Sequence, residues 1–207
     1  MTRHFSILIL TCAMAIGLVA SSPIDAHAQD ASSPLTLASA KVSLAGTSNI
    51  HEFTASSTEV RLTRLALANG LSGAGLLAAV LNPGAVEAFE IAIRSTSLSS
   101  PREGIDKNMH KALKATEFKD ITFRLLRLEA KPALRAIGML KIAGVEREIA
   151  FDLKTAASAA ALTITGEMPI VMTDYGIPAP KAMMGMLKVD PKVVVKFETT
   201  LAIVTTF

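Results

Sequence analysis

The sequence predicts an eight-stranded antiparallel barrel with one helix capping an end, and three observations carry that prediction. Apolar and polar residues alternate with a period of two over much of the chain, which places one strand face in an apolar interior and the other in water. Segments of this kind recur about eight times between turn residues, without the intervening helices that a parallel sheet requires. A single helical pattern interrupts the series. Rolling such a sheet on itself also removes the edges that would otherwise pair with other chains.

The first element is not part of that barrel. Arg3 and His4 lead into the apolar run Phe5 to Ala20, followed by Ser21-Ser22-Pro23 and the small-residue step Ala26-His27-Ala28. A basic tip, a short apolar core and an A-x-A step predict a secretory signal peptide over residues 1–28, cleaved near Ala28, with 29–207 as one domain exported to the periplasm. The apolar run is shorter than the roughly 20 residues that a membrane-spanning helix needs. Cys12 sits in the middle of that run, and Ile9-Leu10-Thr11 before it lacks the small residue of a lipidation site. It is the chain's one cysteine, so the mature protein forms no internal disulfide and rests on its core alone.

Lys41–Thr47 and Ile50–Ser57 read as the first strand pair. Arg61–Gly84 has no clear place: Leu62, Leu65 and Leu67 alternate loosely, Leu76, Leu77, Val80 and Leu81 suit a short helix, and Gly70 to Gly75 reads as a loop. Val86–Thr96 follows as a strand with Phe89, Ile91 and Ile93 inward. Pro101-Arg102-Glu103 then opens a helix continued by Ile105–Ala115, with Met109 and Leu113 four apart on one face. It is expected to lie as a lid on one barrel end. Asp120–Leu128 points Ile121, Phe123 and Leu125 inward, and Leu134–Ile142 does the same with Leu140 and Ile142. Ile142-Ala143-Gly144-Val145 makes a tight hairpin in which Gly144 takes a positive φ. Glu146–Thr155 turns Ile149, Phe151 and Leu153 inward, and Ala161–Thr173 does so with Leu162, Ile164, Met168, Ile170 and Met172. Near the C-terminus Val193, Val195, Phe197 and Leu201 alternate with Lys196, Glu198 and Thr200.

Composition narrows the function. The net charge is +3, and the signal segment removes one base and one acid, leaving it unchanged. Basic residues are scattered, and one tyrosine with no tryptophan offers little for base stacking, so nucleic acid is not an expected partner. Transient contact with an anionic membrane surface is permitted, and a homodimer is left open. His51 and His110 are the histidines that remain after cleavage, and their spacing matches no zinc signature. Gly46-Thr47-Ser48-Asn49-Ile50 begins like a nucleophile elbow but lacks its closing glycine, and Gly70-x-x-Gly73-x-Gly75 lacks the βαβ unit of a dinucleotide loop. No catalysis, metal or cofactor is therefore expected.

Several stretches, in a consistent order, resemble the YceI-like proteins of bacteria. They are Gly46-Thr47-Ser48-Asn49-Ile50-His51-Glu52-Phe53, then Asp106 to Lys114 with Phe118-Lys119-Asp120-Ile121-Thr122-Phe123, then Gly138 to Arg147, and Asp174-Tyr175-Gly176-Ile177-Pro178 followed by Met183 to Val189. The resemblance covers roughly residues 35–205. It implies a lipocalin-like barrel whose tunnel holds a long apolar molecule such as a polyisoprenoid, a quinone tail or a fatty-acid-like amphiphile.

The residues expected to line such a tunnel follow from the inward parity. They are Phe89, Ile91 and Ile93; Met109 and Leu113 of the helix; Phe123, Leu125, Leu140 and Phe151; Ile164, Met168, Ile170 and Met172; Val195 and Phe197; and Met183 and Met186 of a loop near one end. Methionines suit ligands of varied shape. Lys107, Asn108 and His110 on the helix and Tyr175 in the loop are candidates for a polar headgroup, whereas Arg124 points outward by parity. The alternative is a solid barrel in which the same residues fill the core and the protein acts in the envelope through its surface. A lipid-ester hydrolase is a more remote one.

Overall fold

The alternating segments assemble into one curled antiparallel sheet. The computed structural model describes residues 33–73, 75–179, 181–182 and 187–204. The predicted signal peptide and the methionines Met183 and Met186 lie outside them. The strands are β1 (Leu35–Ser48), β2 (Glu52–Ser57), β3 (Val60–Leu67), β4 (Val86–Arg94), β5 (Asp120–Glu129), β6 (Arg135–Ile142), β7 (Val145–Ala157), β8 (Ala161–Val171), the two-residue β9 (Lys181–Ala182) and β10 (Leu187–Ile203). The sheet runs β2-β1-β10-β8-β7-β6-β5-β4-β3, with β9 beside β10. Two helices interrupt it, α1 (Leu76–Ala79) between β3 and β4, and α2 (Glu103–Ala112) between β4 and β5.

The path holds nine strands rather than eight. The added one, β3, comes from the segment that the alternation left unplaced, and its register shows why. Leu62 pairs with Ile91 and Arg64 with Glu90, so Thr63 is an extra residue that shifts the period. Leu62 is thereby brought to the same side as Leu65 and Leu67 although their parities differ. Shifts of register fall also at Ala38 in β1 and Leu126 in β5. The β6–β7 turn has positive φ at both Ala143 (48°) and Gly144 (84°), the backbone of a type I′ hairpin. Sequence reasoning assigned that conformation to Gly144 alone. A Cβ at Gly144 would also strike the Phe118 ring.

The outer strands β2 and β3 are joined through Thr58-Glu59 and share no ladder among the described residues. The gap between them is crossed by the segment that leaves β4. Ser56 and Ser99 exchange backbone hydrogen bonds of 2.8 and 3.0 Å, and the Ser57 and Ser97 hydroxyls lie 2.6 Å apart. Farther along, where β2 has ended, Leu35 and Leu37 of β1 join Leu65 and Leu67 of β3 in one apolar cluster.

Up-and-down connectivity separates the two ends of the barrel. One end, the base, carries α1, the β7–β8 turn and the start of β1. The opposite end, the mouth, carries α2, the β1–β2 and β6–β7 turns and a 3-10 turn at Met172–Tyr175. The predicted helix spans Glu103–Ala112 and lies over the mouth, with Met109, Ala112 and Leu113 packed on the core below. The short helix suggested by Leu76 to Leu81 closes the base, where Leu76, Leu77 and Val80 are buried beside Leu162 and Leu201.

Candidate functional site

The inward faces do not meet. They enclose a cavity of about 940 Å³, at the upper end of the range in which small-molecule sites fall. Its wall explains an otherwise odd burial pattern. Phe89, Ile91, Phe123, Leu125, Ile164, Val195 and Phe197 point inward yet are only partly buried. In a filled core such side chains lose their accessible surface to neighbours. Here they face open space.

Three phenylalanines form a band across that wall. The Phe123 and Phe151 ring centroids are 5.7 Å apart and tilted, and Phe151 meets Phe197 edge-on at 5.4 Å, arrangements favoured by the ring quadrupole. Glycines on adjacent strands make room for the rings. A Cβ at Gly138 would strike Phe123, one at Gly166 would strike Phe197, and one at Gly46 would strike the Phe53 ring. The glycines thus let aromatic rings lie flat along the sheet.

The ends of the cavity differ in chemistry. Toward the base it is bounded mainly by apolar side chains, among them Leu35, Leu65, Val80, Leu81 and Val86, with the buried Thr199 between Phe197 and Leu201. Polar groups gather at the mouth, where Ser48, His51, Arg102, Asn108, Lys111 and Lys114 border it. The lining residues that are solvent-exposed, namely Arg102, Gly104, Asn108, Lys111, Lys114 and Pro178, all lie at this end. The cavity therefore opens beside α2.

The strand residues expected to line a tunnel, from Phe89 on β4 to Phe197 on β10, lie on the cavity wall, as do Met109 and Leu113 of the helix. The inward-facing Ile149 and Leu162 instead pack into the core and do not line it. Arg124 points outward, 3.9 Å from Glu146. Of the headgroup candidates, Lys107 and His110 do not line the cavity. His110 Nε2 donates instead to the Leu98 carbonyl at 2.8 Å and ties α2 to the preceding segment. Asn108 sits on the rim, and its amide donates to the Gly104 carbonyl at 3.0 Å. Tyr175 is on the wall, 3% exposed, and its hydroxyl has no hydrogen-bond partner. Burial raises its pKa above the ordinary 10.0, helped by the Asp174 carboxylate and opposed by the Arg147 guanidinium, so the phenol stays protonated at neutral pH.

Sequence reasoning missed the part of the wall given by Val42, Leu44, Phe53, Leu65, Leu67, Val80, Leu81 and Val86. In β3 the bulge at Thr63 breaks the period. Val42 and Leu44 alternate without interruption in β1, but their neighbours Lys41, Ser43 and Ala45 give too weak a contrast to fix the inward face. Val80 and Leu81 enter from α1, whose placement nothing local specifies.

A curled antiparallel sheet around an apolar cavity that opens beside α2 defines a lipocalin-like barrel, a fold that binds ligands in its interior. The chain belongs to the YceI-like family, whose domain profile matches residues 36–201. BcnA of Burkholderia cenocepacia superposes with a TM-score of 0.61 at 13% identity, over 78% of this chain and 95% of that one. A polyisoprenoid binding domain from Saccharophagus degradans, implicated in plant cell wall breakdown, gives 0.59 at 13%, over 83% and 99%. The YceI protein of Campylobacter jejuni gives 0.53 at 14%, over 72% and 82%. Among curated proteins none matches.

Proposed function

We propose that the protein is an exported, periplasmic carrier that encloses a long apolar molecule of the polyisoprenoid or quinone-tail kind and performs no chemical step on it. The observation that carries this reading is the 940 Å³ cavity with a largely apolar base and a polar-rimmed mouth beside α2. Each buried methylene contributes about 0.8 kcal/mol, so one five-carbon isoprene unit is worth roughly 3–4 kcal/mol before ordering costs. A few units suffice for tight binding. The polyisoprenoid-binding domain that shares this fold supports the same ligand class. One chain encloses the cavity, so the reading does not require a homodimer. Exposed Lys107, Lys111 and Lys114 beside the mouth suit transient contact with an anionic membrane surface during loading.

The arrangement that comes nearest to catalytic geometry is Ser48 with His51, whose Oγ and Nδ1 are 3.1 Å apart at the mouth. That hydroxyl is held by the turn itself, accepting from the Ile50 and His51 amides at 3.3 and 3.1 Å and lying 2.8 Å from the His51 carbonyl. It is a turn cap, and among the described residues the His51 ring has no further side-chain partner to orient it as a base.

Native mass spectrometry of protein purified from its own host tests the proposal, with a co-purifying lipid mass as the expected result. Repeated lipid-free spectra in detergent-free conditions would favour the surface-acting envelope protein instead. Ile164→Glu or Phe197→Lys places a charge on the wall and is expected to abolish lipid uptake. Uptake that survives in a folded variant removes the lining from consideration.

A further inference from the structure

Among the described residues, every charged side chain that borders the cavity is a cation. Arg102, Lys111 and Lys114 stand at the mouth, all three exposed, so a group emerging from the cavity can reach them. None of them enters an ion pair among the described residues. Asp106 of the same helix stays off the rim, its carboxylate accepting from the Ser100 amide at 2.7 Å. Lys114 also sits in a costly backbone state. It follows Leu113, the C-cap of α2, with φ at 50°, a left-handed position that helices ordinarily give to glycine. A cation here suits the helix dipole, but Lys111 already supplies one in the last turn. Lys114 Nζ is 6.0 Å from the Phe118 ring centroid, the outer limit of a cation–π contact. The fold would be served better by glycine, so the lysine side chain has another task.

We propose that the mouth selects an amphiphile with an anionic headgroup, a carboxylate or phosphate held by Arg102, Lys111 and Lys114 while its chain fills the cavity. This rests on the carrier reading above and names the class of cargo within it. The charge stays at the rim, where water still reaches it, so the cost of burying an ion does not arise. The chain runs inward past the phenylalanine band toward Val80 and Leu81, where apolar side chains receive it. Arg102 precedes α2 and Lys111 and Lys114 follow its last turns, so the helix that covers the mouth carries the cations at both of its ends.

The test compares geranylgeranoic acid, geranylgeranyl phosphate and geranylgeraniol, which share one tail. Each displaces a neutral fluorescent dye at pH 8 from residues 29–207 and from variants of them. Wild type is expected to bind at least one anion roughly ten-fold more tightly than the alcohol at low ionic strength, the size of a few exposed ion pairs. That preference should shrink as salt rises, and the tighter anion names the headgroup. Lys114→Gly should lower the preference several-fold with alcohol affinity unchanged and a urea midpoint at or above wild type, because glycine relieves the backbone. Arg102→Gln, Lys111→Gln and Lys114→Gly together should abolish it, whereas Lys154→Gln toward the base should not. Equal binding of the three probes by wild type, or a preference that survives in the triple variant, overturns the inference and leaves the carrier standing. Failure of wild type to bind any probe overturns both.

Discussion

The base and the mouth of this barrel are closed by helices of opposite character. At the base α1 has four residues and no side-chain cap, and its Leu76 and Leu77 are buried with Leu35, Leu65, Leu162 and Leu201. It is held by apolar packing. At the mouth α2 has ten residues, presents Met109, Ala112 and Leu113 to the core, and turns Lys107, Asn108 and Lys111 to solvent. Two polar contacts anchor it, His110 to the Leu98 carbonyl and the Ser100 amide to Asp106 at 2.7 Å. One end is therefore continuous with the core, and the other is a lid tied at a few points. A container that loads beside α2 needs that inequality, because regions that open for a ligand are drawn from the less stable parts of a fold.

Charge substitution should separate the ends most sharply. Leu76→Asp puts a carboxylate into the base cluster at a site 2% exposed, and its cost is expected to be roughly 3 kcal/mol or more. Asn108→Asp on the mouth helix should stay within about 0.5 kcal/mol. Urea denaturation of both checks this, and equal losses would break the comparison. Glycine replacements come next. Gly166→Ala drives a Cβ into the Phe197 ring and should cost about 1–3 kcal/mol. Gly104→Ala in α2 meets open space and should gain a few tenths to about 1 kcal/mol.

Trimming the base acts on the ligand instead of the lid. Val80→Ala and Leu81→Ala should each lose about 1–2 kcal/mol of stability and lengthen the cavity. In competition between prenols of different length, both should shift preference toward the longer chain, whereas Lys111→Ala at the mouth should not.

The smallest effect is one of pH. Tyr175 has a raised pKa in the folded state, so the folded chain holds that proton more tightly than the unfolded one. Its contribution is complete below pH 10 and is lost as pH rises through the folded value. Stability measured between pH 9 and 11 should fall more steeply for wild type than for Tyr175→Phe. Parallel curves would show that the burial of the phenol has no thermodynamic consequence.

Legibility in the sequence followed the regularity of the strands. Along β4, β7, β8 and β10 the alternation is unbroken at the residues that matter, so Phe89, Phe151, Ile164 and Phe197 could be assigned inward from their spacing. In β3 the single extra residue Thr63 was enough to hide the strand, because one inserted residue exchanges the two faces. Gly46 and Gly166 gave no hint of their purpose, since the need for a missing side chain arises from a ring on the neighbouring strand. Tyr175 could be singled out as a polar group in an apolar loop. That its hydroxyl is buried and unpaired could not, because partners are a matter of distance in space.

What the sequence by itself determined is which way each side chain faces: the period of two sets an apolar and a polar surface, and chain order with short turns makes the strands antiparallel neighbours. Only the tertiary structure decided whether the apolar surfaces meet or stand apart. That outcome depends on how tightly the sheet curls, where bulges bend it and what stoppers each end. The same inward residues suit a filled barrel or an empty one, since periodicity records orientation and carries no information on radius.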